Sequence, residues 1–144
     1  MAKSTASSNS ILALMYNATA WSNVADNAAS SPLTNIYVAL HTATVSAGGN
    51  QSEDETAYTN YARVAVARTT SGWAAPSGGA TSNVAAVEFA QCGASGATIT
   101  DVSTGVGSSG STAYWHTGAL SASIAVSNQI QPRFAAGALT ITES

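Results

Sequence analysis

The sequence predicts an all-β fold: a single domain built as an antiparallel β-sandwich, jelly-roll-like, with about eight strands and one short N-terminal helix. Three observations carry this class. Residues 35–42 alternate with a period of two, Ile36, Val38 and Leu40 against Tyr37, Ala39 and His41. Short apolar stretches recur along the rest of the chain, separated by Gly-, Ser- and Pro-rich turn signals. Helical spacing shows in one stretch, near residues 10–18.

In chain order, residues 1–9 are small and polar and read as an N-terminal arm. Ser7, Ser8 and Asn9 offer N-caps for a helix in which Ile11, Leu12, Leu14, Met15 and Ala18 fall on one face. A polar connection over 21–31 ends at Pro32, just before the central strand. That strand sends Ile36, Val38 and Leu40 into a core, each worth about 1.5–3 kcal/mol when fully buried. Residues 47–56 are the most loop-like segment and hold Glu53, Asp54 and Glu55 in succession. Further strands are expected over 58–69, 84–89, 97–106, 113–120, 123–126, 131–134 and 138–142, with a Gly/Ser hairpin loop over 105–110. The sandwich domain then spans 10–144, helix included.

Charged residues make up 8% of the chain, where a soluble domain averages about a quarter. So little charge keeps a free monomer poorly dispersed, and points to a protein packed against other protein. The net charge of −3 comes with no basic stripe, which excludes direct nucleic-acid binding. No apolar run of about 18 residues exists to span a membrane, and no secretory leader is recognisable. Cys92 is the single cysteine, so no intramolecular disulfide framework can form.

Chemistry-bearing patterns are weak. The three consecutive acids cannot all converge on one ion, and the loop lacks an EF-hand spacing, so no metal is assigned. His41 and His116 have no partner ligands at zinc spacing. Asp101, either histidine and any of many serines could be named as a triad, but no Gly-x-Ser-x-Gly elbow selects one. Glu88 and Asp101 are the strand-borne acids a glycosidase would need, and nothing pairs them. No phosphate cradle occurs, and no cofactor or catalytic residue is assigned. The aromatic residues Tyr58, Tyr61, Trp73, Tyr114 and Trp115 lie near strand ends or turns. They can plug the core, anchor an interface or stack on a sugar. Arg63 and Arg68 sit on or beside the 58–69 strand, and one of them can pair with the acidic loop or with a partner carboxylate. The candidate interface set is therefore Tyr58, Tyr61, Arg63, Arg68, Trp73 and Trp115.

Asn35-Ile-Tyr-Val-Ala-Leu-His-Thr-Ala43, Tyr58-Thr-Asn-Tyr-Ala-Arg-Val-Ala-Val66 and Phe134-Ala-Ala-Gly-Ala-Leu-Thr-Ile-Thr142 together resemble small structural proteins of tailed bacteriophages, which are often labelled tail-fibre-like. The resemblance implies a jelly-roll-type sandwich and a non-enzymatic virion protein made in the host bacterial cytoplasm. With the low charge, it leads to a capsid cement or decoration protein. Such a protein would bridge major capsid subunits and contact copies of itself. The alternative it leaves is a tail or tail-fibre module that binds a host-surface glycan through exposed rings such as Trp73 or Trp115.

Overall fold

A computed structural model describes residues 3–28 and 31–143. Its helix α1 is Thr5–Asn17, and eight strands follow: β1 Asn35–His41, β2 Val64–Ala67, β3 Ala80–Ser82, β4 Val87–Glu88, β5 Ala97–Gly105, β6 Tyr114–Val126, β7 Arg133–Phe134 and β8 Thr140–Thr142. The fold is all-β with one short helix. Four strands form one sheet in the order β2-β1-β5-β6, and β3-β8 and β4-β7 form two pairs. The chain divides into two compact units, residues 1–35, 66–87 and 134–144 in the first and 36–65 and 88–133 in the second.

In the first unit the predicted arm is mostly helix. Ser4 takes extended backbone and its hydroxyl accepts the Ser7 N–H, so the cap sits ahead of Ser7, Ser8 and Asn9 and the helix starts at Thr5. Met1 and Ala2 of that arm lie outside the described residues. The missed turn is Ala- and Ser-rich, so it carries no apolar period to find. At the other end Ala18 turns left-handed at φ 54° and returns its N–H to the Ala13 carbonyl. Arg68 then donates to the Met15 carbonyl at 2.7 Å and to the Leu14 carbonyl, binding a cation to the negative end of the helix. Leu12, Tyr16 and Trp73 are fully buried, with Tyr16 edge-on to Trp73 at 4.9 Å. Asn83, also buried, donates to the Ala85 and Ala135 carbonyls and accepts the Leu139 N–H, each at 2.8 Å. It staples the chain that leaves β3 to the turn that enters β8, at the end of the ladder those two strands form.

In the second unit β1 does what its alternation predicts on one face, with Ile36, Val38 and Leu40 fully buried. The opposite face is buried too at its end, because Ala39 and His41 are also at zero exposure. β1 pairs antiparallel with β5, Ala39 facing Ser103 and His41 facing Asp101. β5 pairs antiparallel with β6 in three registers. Ile99 faces Ile124 and Asp101 faces Ala119, so four residues, Leu120–Ser123, stand opposite Thr100 alone. Thr104 faces His116 and Gly105 faces Tyr114, which leaves Trp115 as a one-residue bulge. The expected strand over 58–69 shrinks to β2. Asn60 takes φ 78° and turns the chain, and the Tyr61 ring stacks on Phe89 at 6.1 Å instead of continuing a ladder.

Candidate functional site

The richest polar cluster lies in the second unit, where the acidic loop folds back along β1. Thr42 N–H bonds the Asp54 carbonyl at 2.8 Å and Thr56 N–H bonds the Leu40 carbonyl at 2.9 Å. The three consecutive acids then separate. The Glu53 carboxylate accepts the Ser46 N–H at 3.1 Å and the Ser46 hydroxyl at 3.0 Å. Asp54 is exposed, turned by a φ of 49°. Glu55 points inward and takes Arg63 on both oxygens, each at 2.7 Å. No metal cluster forms among the described residues, and the turn at Asp54, with its left-handed φ, sends the acids in different directions.

Arg63 is the centre of the cluster. Beyond Glu55 its guanidinium donates to the Gly107 carbonyl at 2.9 Å, the Gly110 carbonyl at 2.8 Å and Thr112 Oγ1 at 2.9 Å. It ties the β5–β6 loop to the acidic loop. The pairing with the acidic loop was legible in the sequence, but not its depth: the Arg63 side chain is 1% exposed and Glu55 16%. Tyr61 donates its hydroxyl to Glu55 Oε1 at 2.9 Å and accepts the Leu40 N–H at 3.0 Å. Burial, with the Glu55 carboxylate beside it, pushes the Tyr61 phenol well above its ordinary value. Burial likewise pushes Tyr58, which donates to the Ala90 carbonyl at 2.9 Å, up to about 12.

His41 closes the cluster. Its Nδ1 lies 2.9 Å from the Glu53 carbonyl, which can only accept, so Nδ1 carries the proton and Nε2 is the acceptor. The group at Nε2 is the Ser103 hydroxyl, 2.8 Å away. Gln51 lies alongside. Its Nε2 donates to the Tyr37 carbonyl at 3.0 Å and to Ser103 Oγ at 3.4 Å. Its Oε1 accepts from Thr112 Oγ1 at 3.2 Å and from Arg63 at 3.4 Å. Gly105 makes the room, since a Cβ there would lie 2.3 Å from the Gln51 amide carbon. Burial pulls the His41 pKa below its ordinary 6.5, against the Glu53 carbonyl and the Glu55 and Asp101 carboxylates, which raise it. The unfolded chain therefore takes up a proton near pH 6.5 that the folded chain refuses, and stability is lost as the pH falls below that value. Urea midpoints measured between neutral and mildly acidic pH should decline on the acid side. A flat profile would contradict a buried neutral His41.

The candidate interface residues divide. Tyr58, Arg63, Arg68 and Trp73 are at 8% exposure or less, so their rings and guanidinium groups are spent inside the chain. This corrects the expectation of surface anchors, and Trp73, at zero exposure, cannot stack on a sugar. Long side chains at turns here reach inward to satisfy loop carbonyls, as Arg63 and Arg68 do. Tyr61 and Trp115 are half-buried, and Trp115 alone lies on a sheet-edge strand. His116 faces Thr104 from β6, while Glu88 is exposed on β4 and Asp101 is buried on β5, accepting the Thr44 hydroxyl at 3.2 Å. A shallow depression of about 230 Å³ in the first unit is lined by Ala74, Ala75, Ser77, Ala80, Thr81, Ser82 and Thr140, none of them an acid or a base. What the sequence did not single out is Ser103, Gln51 and Thr112; only the β1–β5 register selects Ser103 from so many serines.

The outer surface is most distinctive along β6. It is the terminal strand of the four-stranded sheet, and its thirteen residues include no Asp, Glu, Lys or Arg. Gly118, Ala119, Ser121, Ala122 and Ser123 are exposed. A long uncharged edge strand is a template for pairing with another chain, and free proteins ordinarily blunt it with charge. Residues 2–142 match the family model described as podophage GP4 fiber I protein gp80, and the chain belongs to that family. No curated protein matches it. Membership makes the chain a structural protein of a tailed-phage virion.

Proposed function

We propose that the chain is a fibre component of a podophage virion, working by packing against neighbouring subunits. The observation that carries this reading is the family match over residues 2–142, whose description is of a fibre protein. It supports a fibre position ahead of the capsid-cement position expected from composition. The partners are other virion subunits and further copies of the same chain, and β6 is the contact edge. Each backbone N–H and C=O along an unpaired edge gains a partner when another strand docks, and Trp115 at its bulge adds an aromatic anchor.

Antibody labelling of whole virions, with the copy number from quantitative mass spectrometry, tests the position. Label at the fibres and a copy number matching theirs are expected. Label over the shell, with a copy number matching the capsid lattice, would restore the cement reading. Charge on the edge tests the contact. Ala119→Lys with Ser121→Lys, both at exposed positions, should leave the thermal midpoint nearly unchanged, within about 0.5 kcal/mol per site. The same pair should strongly reduce incorporation into virions. Normal incorporation would remove β6 as the contact.

A further inference from the structure

We propose that the second unit forms an autocatalytic covalent crosslink, in which Ser103 Oγ attacks the side-chain amide carbon of Gln51 to give an ester and release ammonia. This goes beyond the fibre reading and does not depend on it. The groups such a reaction requires are gathered in one buried place. Ser103 is the nucleophile, and its hydroxyl donates at 2.8 Å to the bare Nε2 of His41. The tautomer needed for a general base is set by the Glu53 carbonyl on Nδ1. The amide under attack has a fixed orientation. Exchanging its O and N would set Nε2 against the Arg63 donors and Oε1 against the Tyr37 carbonyl, so Oε1 faces Arg63 and Thr112. Those two are donors aimed at the oxygen on which negative charge develops. Ser103 Oγ already lies 3.4 Å from the nitrogen that must leave. Attack needs a small turn of the Gln51 amide, and the fold holds both reactants together.

The atoms balance without any further reagent. His41 takes the Ser103 proton as the C–O bond forms and the amide oxygen becomes an oxyanion held by Arg63 and Thr112. The oxyanion then collapses, the C–N bond breaks, and His41 returns the proton to the departing nitrogen, which leaves as ammonia. Escape of ammonia, protonated in solvent, draws the exchange forward. Gln51 and His41 are at zero exposure and Ser103 at 1%, which bars an outside substrate. The same burial keeps water from the finished ester. A hydrogen-bonded serine–histidine pair with no access from solvent is thereby given a use. The ester would fasten the acidic loop to β5.

Intact-mass measurement of the purified full-length chain decides the matter. The expected mass is lower than that of the sequence by one ammonia. Trypsin cuts after Lys3, Arg63, Arg68 and Arg133. It should therefore leave peptide 4–63 joined to peptide 69–133, and hydroxylamine should separate them. Ser103→Ala should restore the full sequence mass and lower the heat midpoint, and His41→Gln should slow or abolish the mass loss. A wild-type chain at the full sequence mass would overturn the proposal, whatever the variants do. A crosslink that persists in Ser103→Ala would overturn the assignment of Ser103 as nucleophile.

Discussion

Arg63→Leu is expected to remove about 3–5 kcal/mol of stability, the usual cost of breaking a buried ion pair by deleting one partner. The loss comes less from the pair than from what is stranded. Glu55, only 16% exposed in its side chain, would keep a charge with no counter-ion, and the Gly107 and Gly110 carbonyls would each lose a donor. Urea denaturation should show the drop in midpoint. Hydrogen exchange should show both tethered loops opening ahead of β1. Arg63→Lys should fall in between, because an ammonium cannot hold two carboxylate oxygens and two carbonyls from one planar fork. A cost below about 1 kcal/mol, typical of an exposed pair, would mean that the loops hold themselves.

Trp73→Ala should cost about 3–5 kcal/mol through the cavity it opens beside Tyr16. The indole Nε1 is buried without a hydrogen-bond partner among the described residues, so the ring contributes through packing. Trp73→Phe therefore loses some volume but also deletes an unsatisfied donor, and the two effects oppose each other. It should cost far less than the alanine change. Equal costs for the two variants, measured by the same denaturation, would place an unrecognised partner on Nε1. The first unit should carry the whole loss, since Trp73, Tyr16 and Leu12 all belong to it.

Legibility followed side-chain size. β1 was readable because Ile36, Val38 and Leu40 are large and their alternation is unbroken, and β5 because Ile99 and Val102 punctuate a Thr-rich run between glycines. The first turns of α1 were not readable, since Ser and Ala give no moment and the true cap lies outside the apolar period. The wider bulge in β6, at Leu120–Ser123, was hidden for a related reason: Ala and Ser pattern alike in any register, so one sequence fits several slips. At the polar cluster, the charge count made an Arg63–acid contact foreseeable. Its burial was not, because that depends on the β5–β6 loop folding over the guanidinium with the Gly107 and Gly110 carbonyls. Tyr58 in the second unit and Trp73 in the first are each buried, so neither stands on the surface the sequence assigned them.

Leu120–Ser123, four residues spanning the space of one, lie at the rim of the sheet with Ser121, Ala122 and Ser123 exposed. The ladders on either side keep their own registers, so length added between them need not be transmitted to either. A residue inserted there should leave the fold intact while altering the outline of the edge, so the segment separates the stability of the chain from its capacity to join a neighbour.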